Sequence, residues 1–152
     1  MKIRDIMSSD IQLVSTDTPF LEVAKKMRKR DCGCVLVADS EKLVGIITDR
    51  DIAIRTAAEI PSPAGITAGE VMSAEILYCF ENEDVETIAR IMYLNKVRRL
   101  VVLDENKHLV GLVAMGDITI PVPEQDKFQK LKLVCHPDLI PVPLTSTEEV
   151  AK

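Results

Sequence analysis

Apolar and polar positions along this chain follow two periods, and they do so twice. Phe20, Val23, Ala24 and Met27 fall at the i, i+3, i+4, i+7 spacing of one helix face, and Val85, Ile88, Ala89 and Met92 repeat it farther on. Each helical stretch follows a short apolar run that predicts a strand, Ile11 to Val14 in the first case and Ile76 to Tyr78 in the second. Each is followed by two more strand-like runs: "CVLVAD" (34–39) and "LVGIIT" (43–48), then "LVVLD" (100–104) and "LVGLVA" (109–114). Ser40-Glu41-Lys42 reads as the turn between the first two. Thr18-Pro19 predicts the opening of the first helix, with a capping hydroxyl residue and proline at the first helical position. A short helix is expected from near Asp51 and again from near Asp117. The order is β-α-β-β-α, twice, an α+β fold. The strands are continuous apolar runs, as expected of sheets covered on both faces.

The two halves align residue by residue. With a shift of about 65 positions, Arg4-Asp5-Ile6-Met7-Ser8 falls on Gly69-Glu70-Val71-Met72-Ser73, Val37 on Val102 and Asp39 on Asp104. One inserted residue near His108 then lays "LVGIITDRDI" (43–52) over "LVGLVAMGDI" (109–118). A unit of about 55 residues buries too little surface to stand comfortably alone. Two such units are therefore expected to pack about a pseudo-two-fold axis and share one core. "AAEIPSPAG" (57–65) carries two prolines and a glycine, which break both helix and strand. The division this predicts is repeat 1 at 1–58, a linker at 59–66, repeat 2 at 67–120 and a C-terminal extension at 121–152. That extension has Pro-Val-Pro segments near both ends and a short helical pattern over 126–134, and its role is open.

Composition narrows the function. Hydrophobic residues make up 47% of the 152 and aromatics 3%, so the core must be aliphatic. The net charge of −5 argues against general nucleic-acid binding. No apolar stretch is long enough to span a membrane, and "MKIRDIMSSD" lacks the apolar region of a signal peptide, so a cytoplasmic protein is expected. Of the four cysteines, only Cys32 and Cys34 stand close together, as C-x-C. A zinc site usually shows two paired clusters, and buried cysteine commonly acts as a small hydrophobe. No nucleophile or acid–base constellation stands out, so an enzyme is not expected.

The doubled pattern, the "RDIM" and "GEVM" starts, "VRRLVVLD", and "GIITDRDI" with "GLVAMGDI" resemble a tandem pair of CBS domains, the cystathionine-β-synthase type. The resemblance covers residues 2 to about 119. It implies a stand-alone regulatory module, often a homodimer, that binds an adenosine-containing ligand in the cleft between its repeats. No cofactor would be required. The adenine nucleotide would be a regulatory ligand, and a protein partner, whose identity is open, would sense it.

The resemblance also implies roles for particular residues. In one cleft Asp51 would accept the ribose hydroxyls, with Thr48 beside the sugar or phosphate. A carboxylate's two oxygens match the two donors of a vicinal diol. Ile46, Met72 and Leu77 would wall the base, and Arg98 and Arg99 would hold phosphate through forked donors. In the second cleft Asp117 keeps the ribose position, with Met7 and Leu112 as walls. There Ala114 replaces Thr48, Gly116 replaces Arg50, and Gly33 and Cys34 stand where the first cleft has Arg98 and Arg99. One competent nucleotide site is expected, beside a second that is empty or takes a less charged adenosyl ligand.

Plainer readings stand beside these. Asp51 and Asp117 are also what helix caps look like, and Arg98 and Arg99 what a solvated helix end looks like. "KKMRKR" (25–30) reads as surface. Two other functions remain open: a structural homo-oligomeric scaffold, and a metal- or redox-responsive module using Cys32 and Cys34.

Overall fold

The computed structural model describes residues 1–56, 65–118 and 134–135. Strand β1 (Leu13–Ser15) leads to helix α1 (Phe20–Arg30), then to β2 (Cys34–Asp39) and β3 (Lys42–Thr48). A helical turn, α2 (Asp49–Asp51), runs into a π-helical turn (Ile52–Thr56). After residues 57–64 come a one-turn helix, α3 (Ala68–Val71), strand β4 (Ile76–Phe80) and helix α4 (Val85–Asn95). Strands β5 (Arg99–Leu103) and β6 (Leu109–Ala114) follow, and β7 (Val134–Cys135) is the last described element. Most of the expected linker, and the tail helix expected over 126–133, lie outside the described residues. Val134 itself is in β7.

The sheets repeat one topology. In the first, β1 pairs parallel with β2 and β2 antiparallel with β3. In the second, β4 pairs parallel with β5 and β5 antiparallel with β6. Here β7 adds to the outer edge of β4, with Ile76 opposite Cys135 and Leu77 opposite Val134. Both hairpins carry the same register shift, at Val37/Ala38 and at Val102/Leu103. Both long helices end on a left-handed residue, Asp31 and Lys96.

Burial refines the expectation of two-sided sheets. The central strands β2 and β5 are buried over nearly their whole length, as continuous apolar runs should be. Strands β3 and β6 alternate buried with half-buried positions, so one face of each stays partly open. The helix opening also differs. Pro19, not Thr18, occupies the cap position of α1, and no side chain caps it. The Thr18 hydroxyl instead accepts from Ser15 N at 3.0 Å, closing the turn after β1. The short polar side chain found a local partner before the helix began.

By contact the chain forms two compact units, one of Ile11–Glu75 and one of Met1–Asp10 with Ile76–Cys135. Each is a β-α-β-β repeat completed by a start segment that is not its own. In the first unit Phe20 N donates to Ile66 O at 2.9 Å, Ala68 N to Thr18 O at 2.7 Å and Gly69 N to Thr16 O at 2.9 Å. In the second, Val85 N donates to Met1 O, Ile3 N to Glu83 O and Arg4 N to Glu81 O, at 3.1, 3.0 and 2.9 Å. The three bonds correspond one to one. "GEVM" thus closes the first repeat and "RDIM" the second.

Side chains follow the backbone. Ala68 and Val71 join Phe20, Val23, Met27 and Ile47 in the core of the first unit. Ile3 joins Val85, Ile88, Met92, Leu100 and Val113 in the second. Ile3 is wholly buried, so Ile3→Ala should lower unfolding free energy by about 2–4 kcal/mol. Urea titration checks this, and a loss below about 0.5 kcal/mol would mean the N-terminal segment does not pack as described.

Candidate functional site

The half-open face of β3 carries Val44, Ile46 and Thr48, and that of β6 carries Val110, Leu112 and Ala114. A start segment docks along each. Ser73 N donates to Ile46 O at 2.9 Å and Ile46 N to Ser73 O at 3.0 Å. Ser8 and Leu112 exchange the same pair at 2.8 and 2.9 Å. The methionine before each serine lies across the glycine of the strand. A Cβ built on Gly45 would fall on Met72 Sδ and lie 2.9 Å from its Cγ. One built on Gly111 would lie 2.8 Å from Met7 Sδ and 2.9 Å from Ser8 O. Glycine is required at both places by close approach.

Past β3 the chain turns into α2 through a capping box. Thr48 N and Thr48 Oγ1 both donate to Asp51 Oδ2, at 2.9 and 2.7 Å, and Asp51 N donates back to Thr48 Oγ1 at 3.1 Å. Past β6 only half of this survives: Ala114 N donates to Asp117 Oδ2 at 2.8 Å, and alanine has no hydroxyl to complete it. The same i−3 bond recurs at Lys2 N to Asp5 Oδ2 and at Thr67 N to Glu70 Oε2, both 2.8 Å, in the two start segments. The recurring acid is first of all a cap. Asp51 is half-buried and Asp117 exposed.

Arg55, which the sequence reading passed over, completes the first framework. Its Nη2 lies 3.4 Å from Asp51 Oδ1 and donates to Ser73 Oγ at 2.9 Å. Its Nη1 donates to the carbonyls of Val71 and Met72 at 2.7 Å. Two of its partners are backbone oxygens and all three of those residues lie beyond the linker, so no local motif marks it.

Of the expected site residues, Ile46, Thr48, Asp51 and Met72 come together in the Ile11–Glu75 unit. Leu77, Arg98 and Arg99 belong to the Ile76–Cys135 unit, along with Met7, Leu112 and Asp117. Leu77 packs on the core of that unit. Arg99 opens β5 opposite Ala114, and Arg98 O accepts from Met115 N at 2.8 Å. Gly33 O accepts from Asp49 N at 3.0 Å in the matching place.

The other chemistry-bearing side chains are less suggestive. Asp104 Oδ1 accepts from Asn106 N and His108 N, and Oδ2 lies 3.1 Å from His108 Nδ1. The His108 backbone N–H, above all, holds the Asp104 carboxyl below its usual range. This closes the turn between β5 and β6. Cys32 is half-buried, and Cys34 and Cys79 are buried. Burial, helped by the Glu83 charge, pushes the Cys79 thiol up to about 12. Among the described residues no three metal-capable side chains gather, and no helix is long and apolar enough to cross a membrane.

Gly111→Ala should cost about 1–3 kcal/mol by denaturant titration. Gly45→Ala should cost a similar amount that Met72→Ala in the same chain partly recovers, since the obstacle there is a side chain. At pH 8, with thiol labelling mapped by peptide, Cys32 should react well before Cys79, whose thiolate is scarce. Equal rates would contradict the burial of Cys79.

Comparison with known proteins gives this geometry a context. The family model described as CBS domain matches residues 3–56 and again 68–121. Hypoxic response protein 1 of Mycobacterium tuberculosis is 34% identical over 135 residues, 88% of this chain and 94% of that one. A solved structure of Hypoxic Response Protein I with two coordinated zinc ions matches at TM-score 0.65 and 34% identity, over 80% of this chain and all of that one. The CBS domain pair of protein MJ0100, in complex with 5-methylthioadenosine and S-adenosyl-L-methionine, matches at TM-score 0.69 and 28% identity, over 78% and 93%. A putative signal-transduction protein with CBS domains from Burkholderia ambifaria matches at TM-score 0.72 and 26% identity, over 78% and 90%.

Proposed function

The chain belongs to the CBS-domain family as a tandem pair, and on that premise we propose that it binds an adenine nucleotide of the AMP, ADP or ATP class as a regulatory ligand. CBS pairs are regulatory modules rather than catalysts. In this reading Asp51 and Thr48 take the ribose, Ile46, Met72 and Leu77 the base, and Arg98 and Arg99 the phosphate. The protein acts in the cytoplasm as a homodimer and changes its affinity for a protein partner when the ligand binds. The repeats correspond to 1–58 and 67–120, joined by 59–66.

The observation that carries the reading is the division of labour within one carboxylate. Asp51 Oδ2 is saturated by its cap, while among the described residues Oδ1 has only the long contact to Arg55. A carboxylate oxygen has two lone pairs, so Oδ1 retains capacity for a ligand hydroxyl, held still by a cap that is already formed. The adenosyl compounds bound to the MJ0100 pair share the adenine and ribose of such a ligand, though not its phosphate.

A second reading concerns the arginines. Arg99 pairs with Ala114, and Arg98 O accepts from Met115 N, so both lie beside the turn that carries Asp117. This favours their serving a phosphate held at the Asp117 frame, with Met7 and Leu112 as its walls. The metal-responsive reading has less behind it: Cys34 is buried and no described cluster accompanies it.

A thermal-shift screen with AMP, ADP, ATP, S-adenosylmethionine and adenosine tests the proposal. Ligand at a hundred times its dissociation constant adds about 2.7 kcal/mol of stability, so the expected result is a clear rise with one nucleotide, absent in Asp51→Ala. A double-mutant cycle then assigns the phosphate contact: Arg99→Ala should be non-additive in binding with Asp51→Ala on the first reading and with Asp117→Ala on the second. A flat screen across all probes would overturn the nucleotide function.

A further inference from the structure

Arg55 has no counterpart in the second repeat, where the aligned position is Pro121. Its guanidinium is half-buried and reaches in two directions. Toward residues 71–73 it makes three short bonds, 2.7, 2.7 and 2.9 Å, to two carbonyls and a hydroxyl. Toward Asp51 Oδ1 it makes one long contact of 3.4 Å. A planar fork suits this arrangement because its donors are fixed relative to one another. The segment it grips covers the edge of β3 and lays Met72 across Gly45. One rigid group therefore joins the uncommitted oxygen of the candidate ribose acceptor to the strand-like segment beside the candidate base wall.

We propose that Arg55 is the positioning residue of this site, fixing Asp51 Oδ1 for a vicinal diol and conveying its occupancy to residues 71–73. The ligand class rests on the nucleotide reading above, whereas the link between carboxylate and segment rests on the geometry alone. The ligand hydroxyl takes the lone pair of Oδ1 that Arg55 leaves open. With the carboxylate ordered by the ligand, the guanidinium is held more firmly on the carbonyls of Val71 and Met72, and the bridge between Ser73 and Ile46 tightens. In the second repeat the matching place holds proline, which has no guanidinium to make such a link.

Hydrogen exchange on the full chain reads this directly at the amides of Met72 and Ser73. Without ligand, Arg55→Gln should speed their exchange about tenfold. Asp51→Asn, which keeps an acceptor for the cap, should speed it by a smaller factor, and the double variant should match Arg55→Gln alone. Additive effects, or no effect of Asp51→Asn, would overturn the link whether or not any nucleotide binds. With AMP the wild-type amides should slow, and those of Arg55→Gln should not respond.

The second measurement compares AMP with 2′-deoxy-AMP by titration calorimetry. Wild type should prefer AMP by about tenfold, the lower end of what one hydrogen bond to a charged acceptor contributes. Arg55→Gln should bring that ratio close to one, and Arg55→Lys should restore part of it through its charge. A purely structural arginine would weaken both ligands equally and leave the ratio unchanged, which would sink the positioning role. If wild type binds neither compound, AMP is ruled out as the ligand, and the exchange experiment without ligand still decides the link.

Discussion

Two backbone hydrogen bonds between a Met-Ser pair and the outer strand of a three-stranded repeat hold both units in their form, and each pair depends on a glycine. Without them β3 and β6 would each present a row of unpaired amide and carbonyl groups, a liability for any sheet. The start segments cover that edge only because Gly45 and Gly111 let a methionine side chain pass close over the strand. The covering segment is never the repeat's own. Ser73 of one segment pairs with Ile46 of β3, and Ser8 of the other with Leu112 of β6. A repeat cut from the chain at its sequence boundaries would therefore lose its cover and part of its core, which gives the instability of so small a unit a concrete cause.

The second recurring interaction is the acid that accepts from the amide three residues back. It appears at the entry to both start segments and after both outer strands. Each instance satisfies an amide that the first turn of a helix leaves without an internal partner. That use of Asp51 and of Asp117 is structural and would be present in a repeat with no ligand. A cap and a ligand contact are nevertheless compatible, because they can use different oxygens of one carboxylate. The cap even favours binding, since an acceptor already ordered by folding loses little further freedom when a ligand arrives.

Much of the fold was legible because its signals are local and periodic. The apolar runs placed β2 and β6 at their observed limits, and the helix faces matched the buried residues of α1 and α4 apart from half-buried Ala24 and from Ile91, which is buried but was not among the expected positions. The cap at Thr18 was misplaced because threonine serves a turn as readily as a helix start, and sequence does not say which amide it meets. The exchange of start segments left no trace in the alignment. Matching "RDIM" to "GEVM" shows that they are equivalent, not which repeat each one closes. Arg55 was missed for a similar reason, since it binds backbone oxygens that every residue has. Arg98 and Arg99 stood out as charges, but their placement opposite Ala114 is a matter of register that composition does not carry.

Comparison of the two units separates what the fold needs from what a ligand could use. The glycine under the methionine, the acid cap and the left-handed helix end occur in both, and each has a structural cause sufficient to keep it. The differences fall elsewhere: Thr48 against Ala114, Gly33 and Cys34 against Arg98 and Arg99, Arg55 against Pro121. Alanine at 114 leaves the backbone bond to Asp117 intact, so the hydroxyl of Thr48 is an addition to a turn that forms without it. Gly33 and Arg98 place the same carbonyl under the same amide, so the arginine side chain is not what that turn requires either. Side chains that the shared framework does not require are where one unit can acquire chemistry that the other lacks. A single framework used twice can in this way hold a polar ligand site in one copy and a different surface in the other, without altering the backbone of either.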